Sequence, residues 1–148
     1  MFISAYGPGS EKSEVEIVEF WNELSKCVGS FGRNELVVVL GDLNARVGNE
    51  VLEGIVGRRV PGRNESGERL LQMCAEQELV VGISWLKKND VYKYTWLRMA
   101  EGRVVDKTLM DYVLLPRRIL GRLLDLKVWR VEGGELYDHF LVEVLTIV

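Results

Sequence analysis

The chain has 148 residues, of which 47% are hydrophobic and 28% are charged, and its formal net charge is -3. This length and composition predict one globular domain over residues 1–148 and exclude a disordered or fibrous chain. No apolar run reaches the roughly 18 residues of a membrane span and the start shows no cleavable signal, so we expect an intracellular protein, nuclear or cytoplasmic, with no membrane partner.

The first residues predict a strand and a helix. The apolar stretch at residues 2–6 stops at Gly7, which begins a Gly-Pro-Gly loop, as is typical of a strand end. Ser13 and Glu16 form a capping box, and apolar residues then recur at helical spacing. We therefore expect a strand at 2–6 and a helix at about 14–28.

Strands dominate the rest of the chain. The β-branched run at 36–40 predicts a strand buried on both faces, and a glycine-rich loop follows it. Asn64 or Ser66 caps a second helix that ends near Glu78. Pro116 begins a short turn or helix. Five further strands are predicted, at 79–84, 91–96, 108–115, 124–130 and 139–147.

This order of elements predicts the fold class. The pattern β-α-β-α followed by strands is typical of a mixed α/β (α+β) fold, in which a two-sheet β-sandwich is flanked by helices. Because the first residues already lie in a predicted strand, we expect the sandwich to be incomplete at its N-terminal side. Cys27 and Cys74 fall in helical patterns beside apolar residues, so we expect both to be reduced core residues.

The charges are distributed unevenly. Between Lys87 and Arg130 the chain holds eleven Lys or Arg residues and five Asp or Glu residues, whereas glutamates crowd the first helix. A domain with one phosphate-facing side shows this asymmetry, although a solvated basic face is the commoner cause of a charge cluster.

Polar residues stand at the ends of several apolar strands. Asp42 and Asn44 follow the strand at 36–40, two residues apart, and so project from one side of an extended chain. An acid inside a strand, as at Asp111, is costly unless it faces a site or a cation. The other candidates are Tyr6, Thr95, Trp96, Asp138 and His139.

Each candidate also has a structural explanation. Asp and Asn are common where a strand stops, Tyr6 and Trp96 suit the core boundary, and a His beside an acid often forms a structural pair. Asp111 has Arg118 as a possible partner. Taken together, however, the set matches metal-dependent phosphodiester hydrolysis, which uses carboxylates, an amide, an oriented imidazole and a phenol.

Six short motifs follow one another along the chain: YGP from Tyr6, GDLNA at 41–45, NESGERLL at 64–71, YTW at 94–96, MDYVL at 110–114 and DHFLV at 138–142. In this order and spacing they resemble the endonuclease/exonuclease/phosphatase superfamily. The resemblance is to the apurinic-like endonuclease domains of non-LTR retrotransposons and the craniofacial-development-protein-2-like sequences in particular. It implies cleavage of a nucleic-acid backbone, most readily DNA, with Mg²⁺ or Mn²⁺.

The resemblance also implies roles for the catalytic residues. Asp42 would activate the attacking water or protonate the leaving oxygen, with Asn44 orienting it. Asp111 would hold the imidazole of His139, and Tyr6 would contact the scissile phosphate. Asp138 and Asp42 would bind the metal, and the expected nucleic-acid contacts are Thr95, Trp96, Arg98 and Arg103.

The sequence departs from the family pattern in two ways. Tyr137 stands where most relatives have a Ser before the Asp-His pair, and the family's first strands, with an Asn and a metal-binding Glu, have no counterpart before residue 2. We therefore expect a truncated form without a full active site, unless another chain supplies those strands. The alternatives are a non-catalytic nucleic-acid-binding or structural α/β module, and a nucleotide or phosphoinositide phosphatase of the same superfamily.

Overall fold

The computed structural model describes residues 1–32, 34–48, 51–55, 62–89, 92–130 and 138–147. Two α-helices, two 3-10 helices and eight strands are present among these residues. The helices are α1 (Glu14–Gly29) and α2 (Glu65–Glu76), with 3-10 turns at Gly82–Trp85 and Arg117–Arg122. The strands are β1 (Phe2–Ser4), β2 (Val38–Asp42), β3 (Leu79–Val81), β4 (Trp96–Ala100), β5 (Arg103–Thr108), β6 (Asp111–Pro116), β7 (Leu123–Trp129) and β8 (Leu141–Thr146).

The strands form one larger sheet and two hairpins. The four-stranded sheet has the order β1-β2-β6-β3, with β1 parallel to β2 and the other pairs antiparallel. Strands β4 and β5 pair with each other, as do β7 and β8. The predicted mixed α/β fold is confirmed, although the strands of the described residues divide among three sheets and not the expected two.

Strand β6 lies at the centre of the core. Every residue from Tyr112 to Pro116 is buried, so both faces of this strand are covered. Both helices direct an apolar stripe into the same hydrophobic cluster. The buried helix residues of this cluster are Ile17, Trp21, Leu24 and Val28 from α1, and Leu70, Leu71, Met73 and Cys74 from α2.

The predicted strand at 91–96 is wrong in the described residues, because the chain becomes extended only from Trp96 onward. A hairpin follows, and its two-residue loop consists of Glu101 with φ 51° and Gly102 with φ 70°. Two successive positive φ values close a tight hairpin whose twist matches its strands. This turn is absent from the predicted elements because glutamate seldom adopts a positive φ.

The two cysteines differ in their surroundings. Cys74 is buried, and burial raises the pKa of its thiol to about 12. Cys27 is exposed, so the prediction that it belongs to the core is wrong. It lies beside the buried stripe of α1 and not within it. Both thiols are free. Among the described residues, the helices are too short or too polar to cross a membrane.

Candidate active site

Strand pairing brings two acidic residues together at one end of the four-stranded sheet. Asp42 ends β2, Asp111 begins β6, and the two are direct partners in the antiparallel ladder. Side chains of directly opposed residues project from the same face of a sheet. The carboxylates of Asp42 and Asp111 therefore lie on one side, at the point where both strands leave the core.

The ring of His139 lies between these two carboxylates. Its Nδ1 is 3.0 Å from Oδ2 of Asp111, and its Nε2 is 3.7 Å from Oδ2 of Asp42. The backbone of the histidine segment is fixed as well, since His139 forms a bridge with Trp96 and the Phe140 amide donates to the Thr95 carbonyl at 2.8 Å. The structure thus brings together three residues that are distant in sequence.

Burial and charge shift the pKa values of two of these groups. Burial alone would lower the pKa of His139, but the hydrogen bond to Asp111 and the nearby carboxylates outweigh it, so its pKa lies above the ordinary value. Burial raises the pKa of the Asp42 carboxyl, and Asp111 and Asp138 add to this effect. The Asn44 amide and His139 oppose it.

A tight loop holds Asn44 beside Asp42. The backbone N–H of Asn44 donates to Oδ1 of Asp42 at 2.9 Å, and its side-chain amide donates to the Gly7 carbonyl at 2.9 Å. Asn44 has φ 47°, a left-handed conformation that asparagine tolerates well. The Gly7 amide also donates to the Asp42 carbonyl, at 2.7 Å. These bonds place Tyr6, which is 76% exposed, next to the loop.

The close approach of a neighbouring segment explains why a glycine precedes Asp42. Gly41 has φ 136°, and a Cβ built there would overlap the carbonyl oxygen of Ala5 in the neighbouring segment. Any other residue would force β2 away from that segment. The glycine in GDLN therefore allows the two chain segments that carry Asp42 and Tyr6 to approach closely.

Trp96 connects Asp138 to Arg46, a residue that the sequence motifs did not indicate as part of the site. The Trp96 Nε1 donates to Oδ2 of Asp138 at 3.3 Å, and the guanidinium of Arg46 lies 5.8 Å from the ring centroid. Arg46 also forms an ion pair with Asp106 at 2.7 Å. The only sequence signal for Arg46 was its position directly after GDLNA.

The predicted nucleic-acid contacts differ in accessibility. Thr95 is fully buried, and its hydroxyl accepts the backbone N–H groups of Met110 and Asp111 at 3.0 and 2.9 Å. This burial leaves Thr95 no surface for a direct contact with nucleic acid, and its hydroxyl instead binds the backbone at the start of β6. Arg98 and Arg103 are exposed on the β4–β5 hairpin.

Asn64 joins helix α2 to the loop that carries Asn44. As the N-cap of α2, its Oδ1 accepts the Gly67 amide at 2.8 Å. The same oxygen accepts the Arg46 amide at 2.8 Å, and the Asn64 side-chain amide donates to the Asn44 carbonyl at 3.0 Å. A Cβ at Gly67 would overlap the Arg46 carbonyl. The sequence predicted Asn64 or Ser66 as the cap of α2. It did not predict that the Asn64 side chain also binds the loop at Asn44 and Arg46.

The predicted alternatives at Asp111 and Tyr137 can be compared with the structure. Arg118 donates to the Glu35 carbonyl at 2.7 Å, while Asp111 pairs with His139, so the alternative Asp111–Arg118 pair does not form. Tyr137, whose effect on the histidine was in question, lies outside the described residues. The described part of the chain contains no group of three His, Cys, Asp or Glu side chains arranged to hold a metal ion.

Comparison with known sequences identifies a relative of this chain. Craniofacial development protein 2 of Bos taurus is 30% identical over 117 residues, which make up 78% of this chain and 19% of that protein. The homologue of Tragulus javanicus is 29% identical over 117 residues. The chain thus spans about a fifth of the length of the curated relatives it matches. No protein-family model matches the chain.

Comparison with solved structures identifies the fold. The 3'-5' exonuclease NExo from Neisseria meningitidis matches with a TM-score of 0.71 at 17% identity, over 98% of this chain and 60% of that chain. The endonuclease domain of TRAS1, a telomere-specific non-LTR retrotransposon, matches with a TM-score of 0.64 at 16% identity, over 97% and 56%.

A third structure carries the superfamily name. An endonuclease/exonuclease/phosphatase family protein from Leptotrichia buccalis C-1013-b matches with a TM-score of 0.58 at 18% identity, over 88% of this chain and 43% of that chain. The chain therefore has the fold of the endonuclease/exonuclease/phosphatase superfamily and is a sequence relative of craniofacial development protein 2.

Proposed function

We propose that the chain carries the acid–base part of a divalent-metal-dependent phosphodiesterase site, and that its substrate is nucleic acid, as for a retrotransposon-type DNA endonuclease. Two similar structures support the choice of substrate. TRAS1 is a retrotransposon endonuclease domain, and NExo from Neisseria has been solved bound to a product DNA hairpin.

The observation that carries this proposal is the position of the His139 ring between two carboxylates. Asp111 holds Nδ1 at 3.0 Å, and Nε2 therefore faces Asp42. An imidazole that is oriented through one nitrogen presents the other to a reacting group, as general acid–base catalysis requires. The His139 side chain is 35% exposed, so a phosphate group can reach it from solvent.

Asp42 and His139 would divide the proton transfers of hydrolysis. The raised pKa of Asp42 makes its carboxylate a stronger base towards an attacking water. The raised pKa of His139 keeps the ring cationic over a wider range of pH, and a cation stabilises charge on the phosphate. Asn44 fixes Asp42 through a backbone N–H bond, and Tyr6 lies beside it as the candidate phosphate contact.

Mg²⁺ or Mn²⁺ is the cofactor that this fold family implies. The carboxylates of Asp42 and Asp138 both lie near enough to influence His139, and carboxylate oxygens are the ligands that hard cations prefer. Magnesium commonly uses one or two carboxylates together with waters and substrate phosphates. Asp42 and Asp138 would hold such a cation weakly, and when bound it would polarise the phosphate.

We also propose that this chain alone binds the cation too weakly for efficient cleavage, and that a further carboxylate from elsewhere completes the site. In assays with Mg²⁺ or Mn²⁺, we expect little or no nicking of supercoiled plasmid, with any trace unaffected by Asp42→Ala. Robust nicking that Asp42→Ala and His139→Ala each abolish would contradict the weak-cation proposal and would establish the phosphodiesterase directly.

The substrate assignment has an independent test. His139 is the only histidine in the chain, so its ring signals in an NMR spectrum report on this site alone. We expect them to shift when a DNA oligonucleotide and Mg²⁺ are added. An unchanged ring at saturating DNA would favour the non-catalytic module, and a shift with inositol phosphates but not with DNA would favour the phosphatase alternative.

A further inference from the structure

Beside the segment that carries His139, the surface contains a groove of about 660 Å³ with cationic and aromatic walls. We call it the basic groove. Volumes of roughly 300–1,000 Å³ are usual for ligand sites. One wall comes from the segment before β4 and the other from the end of β7. Its cationic and aromatic side chains include Lys87, Tyr92, Lys127, Trp129 and Arg130.

Two aromatic rings in the basic groove are open to solvent. Trp129 is 44% exposed and Tyr92 is 56% exposed, although tryptophan is highly buried on average. The Trp129 indole is held in place, because its Nε1 donates to Glu143 at 2.6 Å and Lys127 Nζ lies 3.4 Å from its ring centroid. Because Lys127 covers one face of this fixed ring, a base would stack on its opposite face.

The charge of the groove is positive. Lys88 is neutralised by an ion pair with Asp125, which also lines the groove. Lys87, Lys127 and Arg130 also line the groove beside the two aromatic rings, so its lining holds four basic residues and one acidic residue. Alternating cations and exposed rings are what single-stranded nucleic acid requires, because phosphates pair with the cations while unpaired bases stack on the rings. A duplex hides the faces of its bases.

The basic groove also lies close to the candidate active site. Trp129 pairs with Leu141, two residues beyond His139. The guanidinium of Arg130 lies 5.8 Å from the ring centroid of Phe140, the neighbour of His139. A nucleic-acid strand that entered the groove would therefore leave it near His139.

We propose that the basic groove binds a single-stranded stretch of the nucleic acid that the candidate site acts on. Bases stack on Trp129 and Tyr92, and phosphates contact Lys87, Lys127 and Arg130. This inference rests on the proposed function for the identity of the ligand. It adds a binding site that is separate from the hairpin arginines and selects unpaired substrate.

The test is a binding titration with an oligothymidylate of about twelve nucleotides in a chelating buffer, where no cleavage interferes. We expect quenching of tryptophan fluorescence, because a stacked base quenches the indole that it covers. Trp129→Leu should remove most of this quenching. Trp85→Leu is the matched control, since Trp85 is 37% exposed but lies outside the groove with its Nε1 bonded to the Ile55 carbonyl.

Affinity is measured separately, by anisotropy of a labelled oligonucleotide. Trp129→Leu and Arg130→Ala should each weaken binding about tenfold or more. Trp129→Phe should retain most of the affinity, because it keeps an aromatic face. Arg122→Ala removes an exposed cation just before the opposite end of β7 and should change the affinity less than about twofold. Circular dichroism of each variant shows that it is folded.

Each result is decisive for one of the two proposals. Equal affinity of the wild-type chain, Trp129→Leu and Arg130→Ala would overturn the groove, as would tighter binding of the matching duplex than of the single strand. An unchanged His139 ring signal with intact groove binding would instead overturn the proposed catalytic site and leave the groove standing.

Discussion

At the level of single residues, the candidate site depends on how His139 is held. The hydrogen bond and the charge of Asp111 are the main influences that raise its pKa, and Asp42 and Asp138 add smaller ones. Burial acts in the opposite direction. Removing Asp111 should therefore lower the pKa of His139 more than removing Asp42 or Asp138 does.

We expect Asp111→Asn to lower the pKa of His139, because the variant removes both the charge and the strongest hydrogen-bond acceptor of the ring. An NMR titration of the single histidine in metal-free buffer measures this directly. Asp106→Asn is the control, since Asp106 pairs with Arg46 instead. An unchanged histidine pKa in Asp111→Asn would show that the Asp111–His139 pair does not form in solution.

The same shift predicts how stability depends on pH. A histidine whose pKa is higher in the folded than in the unfolded chain stabilises the fold fully below about pH 6.5. That contribution is lost as the pH rises through the folded pKa. In metal-free buffer we expect the melting temperature to fall over this window, and to fall less in His139→Gln. Parallel curves for the two proteins would contradict the prediction.

The raised pKa of Asp42 also lowers the stability of the fold as the pH rises, but over a lower range of pH. Because burial raises its pKa above the value in the unfolded chain, the folded state binds the proton more tightly. Its protonated form is favoured in the fold, so stability falls as the pH rises from about 3.8 through the folded pKa. The fold thus holds the ionised Asp42 carboxylate at some cost in stability, because burial disfavours a charge.

At the level of elements, the end of β2 is positioned by a helix. Asn64 caps α2 and also binds the loop at Asn44 and Arg46, so the start of the helix and the candidate site are one unit. The close approach of Gly67 to Arg46 explains why the helix begins with a glycine in its first turn. Substitutions at Asn64 or Gly67 should therefore shift the loop that holds Asn44 beside Asp42.

We expect Asn64→Ala to lower the free energy of unfolding by about 3 kcal/mol, because it removes a cap and leaves loop groups without partners. Ser13→Ala should cost about 1 kcal/mol, since Ser13 caps α1 at an exposed position. Urea denaturation of both variants gives the comparison. Equal losses would mean that the Asn64 bonds to the loop add nothing.

At the level of the whole molecule, the basic segment separates into distinct surfaces. Arg98, Arg103 and Lys107 lie on the β4–β5 hairpin, while three other arginines lie on the 3-10 helix at Arg117–Arg122. The basic groove is a third location. The segment is therefore not one continuous face, and each surface needs its own test.

We expect duplex DNA binding to weaken steeply as salt rises, because each phosphate that a cation neutralises releases counterions. Arg98→Ala and Arg103→Ala should each reduce the slope of log affinity against log salt by about 1. Arg122→Ala should leave the slope unchanged. Binding that is independent of salt would assign the hairpin arginines to an ordinary solvated surface.

Much of the fold followed from local patterns in the sequence. The capping box at Ser13 and Glu16 is present, and helix α1 ends one residue beyond its predicted end. The run at 36–40 contributes to a strand, although β2 begins only at Val38 and is buried at Val38 and Val39 alone. These features depend on residues within one turn or one strand of each other, so a local pattern is enough to predict them. The motifs likewise indicated Asp42, Asp111 and His139 as site residues from their positions along the chain alone.

The resemblance implied that Asp111 holds the His139 ring, but only the tertiary structure showed the other contacts around these residues. Arg46 and Asp106 are 60 residues apart and pair because the β4–β5 hairpin folds over the GDLNA loop. The hairpin itself depends on the positive φ values of Glu101 and Gly102, which no side-chain pattern predicted. The sequence determined which polar groups stand at strand ends, because that is a property of neighbouring residues. The structure determined their partners, because strand register between distant segments sets which side chains face one another.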